Sequence, residues 1–210
     1  MIGQAAVRPA RPADLAAMLG LINGYAKLDR MLPRDRAFLE GALGDFAVAE
    51  GPAGVPADGP AEILADGPAN GPADGPADGR PAAAFLGCCA LATLTPELGE
   101  IRSLAVVPAA AGRGIGRDLV HACVAAARER GLRRVFALTL VPDFFVKCGF
   151  TRSSLARLPE KSAEECPVCP KRLACDEEAM LLHLDGSRPA PLAAGDPIGY
   201  TRMMRPEIAR

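Results

Sequence analysis

The sequence predicts an α/β (α+β) fold, and three observations predict it. Apolar residues recur at helical spacing in well-separated segments, and short apolar runs of strand length stand between and after them. Two of those runs are divided by a turn-prone stretch, and one passes through a cluster of glycines straight into a helix. With 210 residues the chain suits one domain whose core needs no disulfide or metal. Trp is absent and 4% of residues are aromatic, so Leu, Val, Ile and a few Phe must build that core.

The elements follow in order. Ala5 to Val7 reads as a short strand. From Asp14, the residues Leu15, Met18, Leu19 and Ile22 form one apolar stripe and predict an amphipathic helix. Tyr25 to Pro33 reads as a connection, Arg34 to Asp45 as a second helix with Phe38, Leu39 and Leu43 inward, and Phe46 to Glu50 as a strand. From Gly51 to Pro81 the composition collapses to Gly, Pro, Ala and Asp with near-repeats of the ADGP kind, so a disordered insertion between two strands is expected. Ala83 to Thr95 and Glu100 to Val107 flank the turn at Pro96 to Gly99 and predict antiparallel neighbours. From Gly116 to Arg130 the residues Leu119, Val120, Cys123, Val124 and Ala127 share a helix face, with Gly131 placed to cap its end. Arg134 to Leu140 is a buried strand, Pro142 to Lys147 a short helix, and Met180 to Leu184 a last strand. One domain over 1–186, interrupted by 51–81, and a flexible tail over 187–210 rich in Pro, Gly and Arg complete the expectation.

Several functions are excluded by composition. Net charge is -1 with pI near 6.2, and Lys and Arg are interspersed with acids, so neither nucleic acid nor an anionic membrane is an expected partner. Met1 to Pro12 lacks a continuous apolar run, and no later stretch reaches the roughly 18 apolar residues of a membrane span. A cytoplasmic protein is expected. The seven cysteines are an odd number, and Cys88 and Cys89 lie in an apolar run, which fits reduced core thiols.

The sharpest motif is Val106-Val107-Pro108-Ala109-Ala110-Ala111-Gly112-Arg113-Gly114-Ile115-Gly116. Glycines let consecutive N–H groups turn toward one point, and the partial positive charge of the helix start reinforces them for a pyrophosphate. A dinucleotide-binding turn would need Gly-x-Gly-x-x-Gly with a later acid, and a Walker loop would need Gly-Lys-Ser/Thr; neither is present. A strand-to-helix connection without a ligand is the plain alternative.

Ile101 to Val107 followed by Gly112 to Gly116 resembles the acetyl-CoA motif of the GNAT superfamily of N-acetyltransferases. Cys148-Gly149-Phe150 resembles its later Gly-Phe signature. The resemblance implies the GNAT fold, a central mixed, mostly antiparallel sheet with helices on both faces. It also implies that the backbone of Leu104, Ala105 and Val106 pairs with the pantetheine arm of acetyl-CoA, an edge addition that needs main-chain groups. The loop Ala111, Gly112, Arg113, Gly114, Ile115, Gly116 and Arg117 would hold the pyrophosphate. In the family this loop opens on Arg or Gln; Ala111 stands there, which preserves the backbone amide and loses a side chain.

Further segments are similar to the short bacterial N-acetylglutamate synthases, which begin arginine biosynthesis. They are Leu32-Pro33-Arg34, Glu100-Ile101-Arg102-Ser103-Leu104-Ala105-Val106, Phe136-Ala137-Leu138-Thr139 with Phe144-Phe145, and Cys166-Pro167-Val168-Cys169-Pro170-Lys171 with Cys175-Asp176-Glu177. By that resemblance the partners are the small molecules acetyl-CoA and L-glutamate, and the two carboxylates need cations. Arg34 is the first candidate, since a guanidinium fork matches carboxylate geometry, with Arg102, Lys171 and Arg172 as further ones. Each has the alternative of a solvated surface charge.

Acetyl transfer needs a neutral amine, so a base or water relay must take a proton. Glu100 is the expected base, with a surface carboxylate at a strand end as the alternative. The family's tyrosine acid is replaced by Phe145, and direct attack with water protonating the thiolate is expected. Cys166, Cys169 and Cys175 form a Cys-x-x-Cys and a third thiol that could hold zinc if Asp176, His183 or water completed four ligands; ordinary thiols or a disulfide are the alternatives. The competing functions are acetylation of another small amine or a protein N-terminus, and a non-catalytic CoA- or metal-binding sensor. A homodimer stays open.

Overall fold

The computed structural model describes residues 5–51 and 83–204. The low-complexity insertion expected at 51–81 lies outside the described residues apart from Gly51, as do residues 205–210 of the tail. Among the described residues seven strands form one mixed sheet: β1 (Ala6–Pro9), β2 (Phe46–Gly51), β3 (Ala84–Thr95), β4 (Leu98–Val106), β5 (Arg134–Thr139), β6 (Thr151–Ser153) and β7 (Glu178–His183). Their order is β1-β2-β3-β4-β5-β7-β6. β1 with β2, β2 with β3, β5 with β7 and β6 with β7 are antiparallel, while β4 and β5 are parallel. The parallel register spans Leu98↔Arg134, Gly99↔Val135 and Glu100↔Phe136. This is the expected mixed, mostly antiparallel α/β architecture.

The chain divides into two compact units, one formed by residues up to Leu91 with Ile101–Ala125, the other by Ala92–Glu100 with residues from Ala126 onward. In the first, α1 (Leu15–Lys27) buries Leu15, Met18, Leu21 and Ile22, while Leu19 is only half-buried. The helix runs on through Tyr25, expected in a connection, because Ile22, Tyr25 and Ala26 prolong the 3-4 spacing until Asp29 adopts φ 58°. The second helix is shorter than expected: α2 covers Arg36–Gly41, with Asp35 accepting the Phe38 N–H at 2.7 Å as its cap. Arg34 therefore precedes the helix. α3 (Ile115–Glu129) buries Leu119, Val120 and Cys123, and His121 is exposed as its face predicts. Arg8 ties β1 to Asp14 at 2.8 Å and to Glu50 of β2 at 2.6 Å.

In the second unit, the end of α3 is closed by Gly131 at φ 75°, with the Leu132 N–H donating to Ala127 O at 3.0 Å. α4 (Pro142–Lys147) carries Phe145, which packs edge-on against Phe144 and Phe150 at 5.2 and 5.3 Å. β6 and α5 (Pro159–Ser162) were not foreseen, being too short and polar to show a period. Leu98, Phe136, Leu155, Leu158, Ala179, Leu181 and Tyr200 form the core here.

Over its described part the C-terminal segment makes hydrogen bonds within the second unit. Pro197 O accepts from Leu155 N–H and Ser154 Oγ, and Ile198 O accepts from Ala179 N–H at 2.9 Å. Arg157 donates to Pro191 O and Asp196, and α6 (Tyr200–Met204) sends Tyr200 into the core.

Candidate active site

The cofactor-type loop begins where β4 ends. Val107 N–H donates to Leu86 O of β3 at 2.9 Å, and the chain turns through Pro108 to Ala110 before the glycines. Gly112 and Gly114 have φ 75° and 86°, left-handed values that only glycine adopts readily. Ala111, Gly112 and Arg113 are exposed, so the turn faces solvent, while Ile115 anchors α3 in the interior. Asp118 N–H is the first to find a helical carbonyl, that of Gly114 at 3.0 Å, which leaves the preceding amides as the helix-start donors. A Cβ built on Gly114 would stand 3.5 Å from the Arg117 guanidinium, so that cation folds back over the loop. An exposed donor turn at the start of a long helix with a cation above it fits a pyrophosphate. Ala111 departs from the expectation in one respect: its amide donates to Pro108 O at 3.1 Å, so the donor series starts at Gly112.

On β4, Leu104 and Val106 are half-exposed and Ala105 is buried. Tyr25 Oη donates to Val106 O at 2.8 Å, fixing this strand end to α1, a bond with no signal in local sequence. Burial pushes the Tyr25 phenol up, against the opposing charge of Arg30. Ser103 holds φ 53°, a left-handed conformation that costs a non-glycine residue on the order of 1 kcal/mol and concentrates at functional positions.

Arg34 and Arg102 are brought together. Their guanidinium carbons lie 4.3 and 5.5 Å from the centroid of the same ring, Phe38 of α2. Arg34 is located by Asn23 of α1, whose amide donates to Arg34 O at 2.8 Å and accepts from Arg34 N–H at 2.9 Å. Two guanidinium groups thus lie within reach of one aromatic ring, and the fork of each matches carboxylate geometry. Asn23 was not singled out in the sequence; a polar residue on an otherwise apolar helix stripe was its only trace.

Glu100 lies in the second unit, buried at 4% exposure, so it is no surface carboxylate. Lys161 of α5 bridges both its oxygens, at 2.8 Å to Oε1 and 2.9 Å to Oε2, and also reaches Glu165 Oε2 at 2.7 Å. Burial works to lower the Lys161 pKa, but the charge and hydrogen bonds of Glu100, then those of Glu165, outweigh it and raise it. Burial, with the charge of Glu100 second, pushes the half-buried Glu177 up, against the pull of Lys161. Neither Lys161 nor Glu177 was named as a site residue, because 61 positions separate Lys161 from Glu100. Lys171 faces Asp176 at 3.8 Å, and Arg172 is exposed. Phe145 is buried, so the family's tyrosine position supplies no acid.

The possibility of zinc at Cys166, Cys169 and Cys175 finds no support. Among the described residues no three His, Cys, Asp or Glu are grouped so that they could hold a metal ion. Cys166 is buried, and desolvation pushes its thiol up to about 12. Burial also raises the Cys175 thiol. Among the described residues no helix is long and apolar enough to cross a membrane.

A mixed sheet whose fourth strand runs through an exposed donor turn into a long helix defines the architecture of an acyl-CoA-dependent transferase. Residues 35–150 match the acetyltransferase (GNAT) family. The chain is 35% identical over 175 residues to an uncharacterized N-acetyltransferase, CT2212, of Chlorobaculum tepidum, covering 83% of this chain and 94% of that protein. It is 35% identical over 146 residues to an amino-acid acetyltransferase of Mycobacterium tuberculosis, covering 69% and 67%. Among solved structures, Rv2747 of M. tuberculosis in complex with CoA superposes with a TM-score of 0.63 at 29% identity, over 85% of this chain and 99% of that one. The N-acetylglutamate synthase of Neisseria gonorrhoeae with coenzyme A and N-acetyl-glutamate shares the fold at a TM-score of 0.64 and 24% identity, over 88% of this chain and 36% of that one. The chain belongs to the acetyltransferase (GNAT) family and is an acyltransferase.

Proposed function

We propose that this protein is an amino-acid N-acetyltransferase that transfers the acetyl group of acetyl-CoA to the α-amino group of L-glutamate. The observation that carries the reading is the convergence of Arg34 and Arg102 on the Phe38 ring. A dicarboxylate brings two anions to that pair, and fork-shaped guanidinium groups bind carboxylates with directional hydrogen bonds. Arg34 and Arg102 hold the substrate's carboxylates. The names of relatives, amino-acid acetyltransferase and N-acetylglutamate synthase, support the same substrate class.

In this reading the amides from Gly112 to Arg117 hold the pyrophosphate and the backbone of Leu104 to Val106 pairs with the pantetheine arm. Glu100 takes a proton from the substrate ammonium through water. The freed amine attacks the thioester carbonyl carbon; the carbon–sulfur bond then breaks, and the thiolate leaves with the electron pair. The second nitrogen proton returns, through water, to the thiolate, whose pKa near 8.5 makes a dedicated acid dispensable. Cys148 is buried and forms no acyl-enzyme here.

The test is a panel of amino acids, polyamines and peptides followed by CoA release and mass analysis of the products. N-acetylglutamate should dominate. A flat profile, or one led by a polyamine or peptide, refutes glutamate as the substrate, and CoA binding with no turnover on any amine refutes the enzyme.

A further inference from the structure

Lys161 is a buried cation whose place no local motif explains. An ammonium has three N–H donors, and three carboxylate oxygens stand within reach: Glu100 Oε1 at 2.8 Å, Glu100 Oε2 at 2.9 Å and Glu165 Oε2 at 2.7 Å. Its donors are saturated, so it has none for a substrate and, being protonated, no lone pair for attack. Whatever it does passes through its partners. Burying an ion pair costs desolvation that apolar residues of equal volume would avoid, so stability alone is a poor reason for this pair.

We propose that Lys161 is the positioning residue for Glu100: it clamps both carboxylate oxygens in one orientation, the one in which Glu100 meets the substrate's proton. The inference rests on the reading of Glu100 as the base. Among the described residues, charged and titratable groups that act on the pair include Glu165 beyond α5, Glu177 before β7 and the Cys166 thiol. Glu165 competes for Lys161, and its side chain is 46% exposed, which makes it the adjustable member. Glu177 senses both Glu100 and Lys161 and adds negative charge to the cluster as it ionises.

A carboxylate held by both oxygens meets the proton in one geometry, and releasing it lowers the rate of the chemical step without touching substrate binding. The experiment measures kcat and KM for the full chain and for Glu100→Gln, Lys161→Met, Lys161→Gln and Lys161→Arg, with folding checked by circular dichroism. Lys161→Met should lower kcat about tenfold or more while KM stays within about twofold, and Lys161→Arg should restore most of that loss. If Glu100→Gln keeps full activity, the base assignment falls and this inference with it. If Glu100→Gln abolishes turnover while folded Lys161→Met keeps the parent kcat, Lys161 only packs and the inference alone falls. Should Lys161→Met fail to fold, Lys161→Gln decides: a lowered kcat at unchanged KM supports the inference, and a parent kcat overturns it.

Discussion

Gly87 marks the closest approach of β3 to the strand that carries the cofactor-type loop, and alanine there perturbs both at once. A Cβ built on Gly87 would stand 2.5 Å from Ala105 O and 3.0 Å from Val106 Cα, both backbone atoms, where ordinary contact begins at 3.4 Å. Nothing flexible can move aside, so the strands must part by about 0.9 Å locally. The adjacent Val107–Leu86 hydrogen bond, 2.9 Å long, is then stretched past the ~3.2 Å at which such bonds fade. One lost ladder bond costs about 1 kcal/mol, and overpacking adds about 1–3 kcal/mol, so Gly87→Ala should destabilise by about 2–4 kcal/mol. For a chain of this size that lowers Tm by about 5–15 °C in thermal unfolding followed by circular dichroism. Because Ala105 and Val106 are displaced, CoA affinity by calorimetry should fall about tenfold, some 1.4 kcal/mol. Gly41→Ala is the control: nothing lies within 4 Å of its Cβ, and removing a helical glycine should gain about 0.5 kcal/mol. A Gly87→Ala protein that melts within about 2 °C of the parent and binds CoA equally well would refute both the tight approach and the placing of the cofactor on this strand.

Two further perturbations separate binding from stability. Asn23→Ala removes both bonds that locate the Arg34 backbone; at about 1 kcal/mol per bond the KM for the amine should rise about tenfold or more while kcat stays within about twofold, and a fall in kcat alone would contradict the role. Asp14 is held below the usual carboxylate range: burial pushes it up, but the Arg8 hydrogen bond and the Arg11 N–H outweigh that. A depressed folded-state pKa means stability that is present above the unfolded value near 3.9 and lost as pH falls below it. Asp14→Asn should therefore cost about 2 kcal/mol at pH 7 by urea unfolding and progressively less toward pH 3, and an equal cost at both pH values would refute the linkage.

What could be read in the sequence is what local periodicity and backbone chemistry encode. The change from strand to helix at Gly112–Gly116 and the cap at Gly131 were legible because glycine's left-handed values are a property of single residues. The strand pattern gave the mixed sheet no order; strand order is set by which apolar faces meet, which a run such as Arg134 to Thr139 does not specify. The site was legible one residue at a time. Arg34, Arg102 and Glu100 were picked out by type and by resemblance, but the shared Phe38 ring and the Lys161 clamp depend on chain segments tens of residues apart. The same limit explains the cysteines: Cys-x-x-Cys spacing is local, while four ligands aimed at one point are a tertiary fact that Cys166, Cys169 and Cys175 do not meet.

The C-terminal segment yields a sharp contrast. Tyr200 and Met204 belong to the same short helix, yet Tyr200 is 8% exposed within the core of the second unit and Met204 is 61% exposed. A loosely held tail requires that truncating either be nearly neutral. If the tail is docked, Tyr200→Ala deletes a buried aromatic ring and leaves a cavity among Leu155, Leu158 and Ala179, at about 3 kcal/mol, whereas Met204→Ala stays within about 0.5 kcal/mol. The expected readings are a Tm lowered by about 6–12 °C for the first and unchanged for the second. Cys175 N–H, held by Thr201 Oγ1 at 2.6 Å, should lose protection against hydrogen exchange together with Ala179 N–H, held by Ile198 O. Equal melting of the two variants, with unchanged exchange at Ala179, would mean that residues beyond Gly186 add nothing to this core.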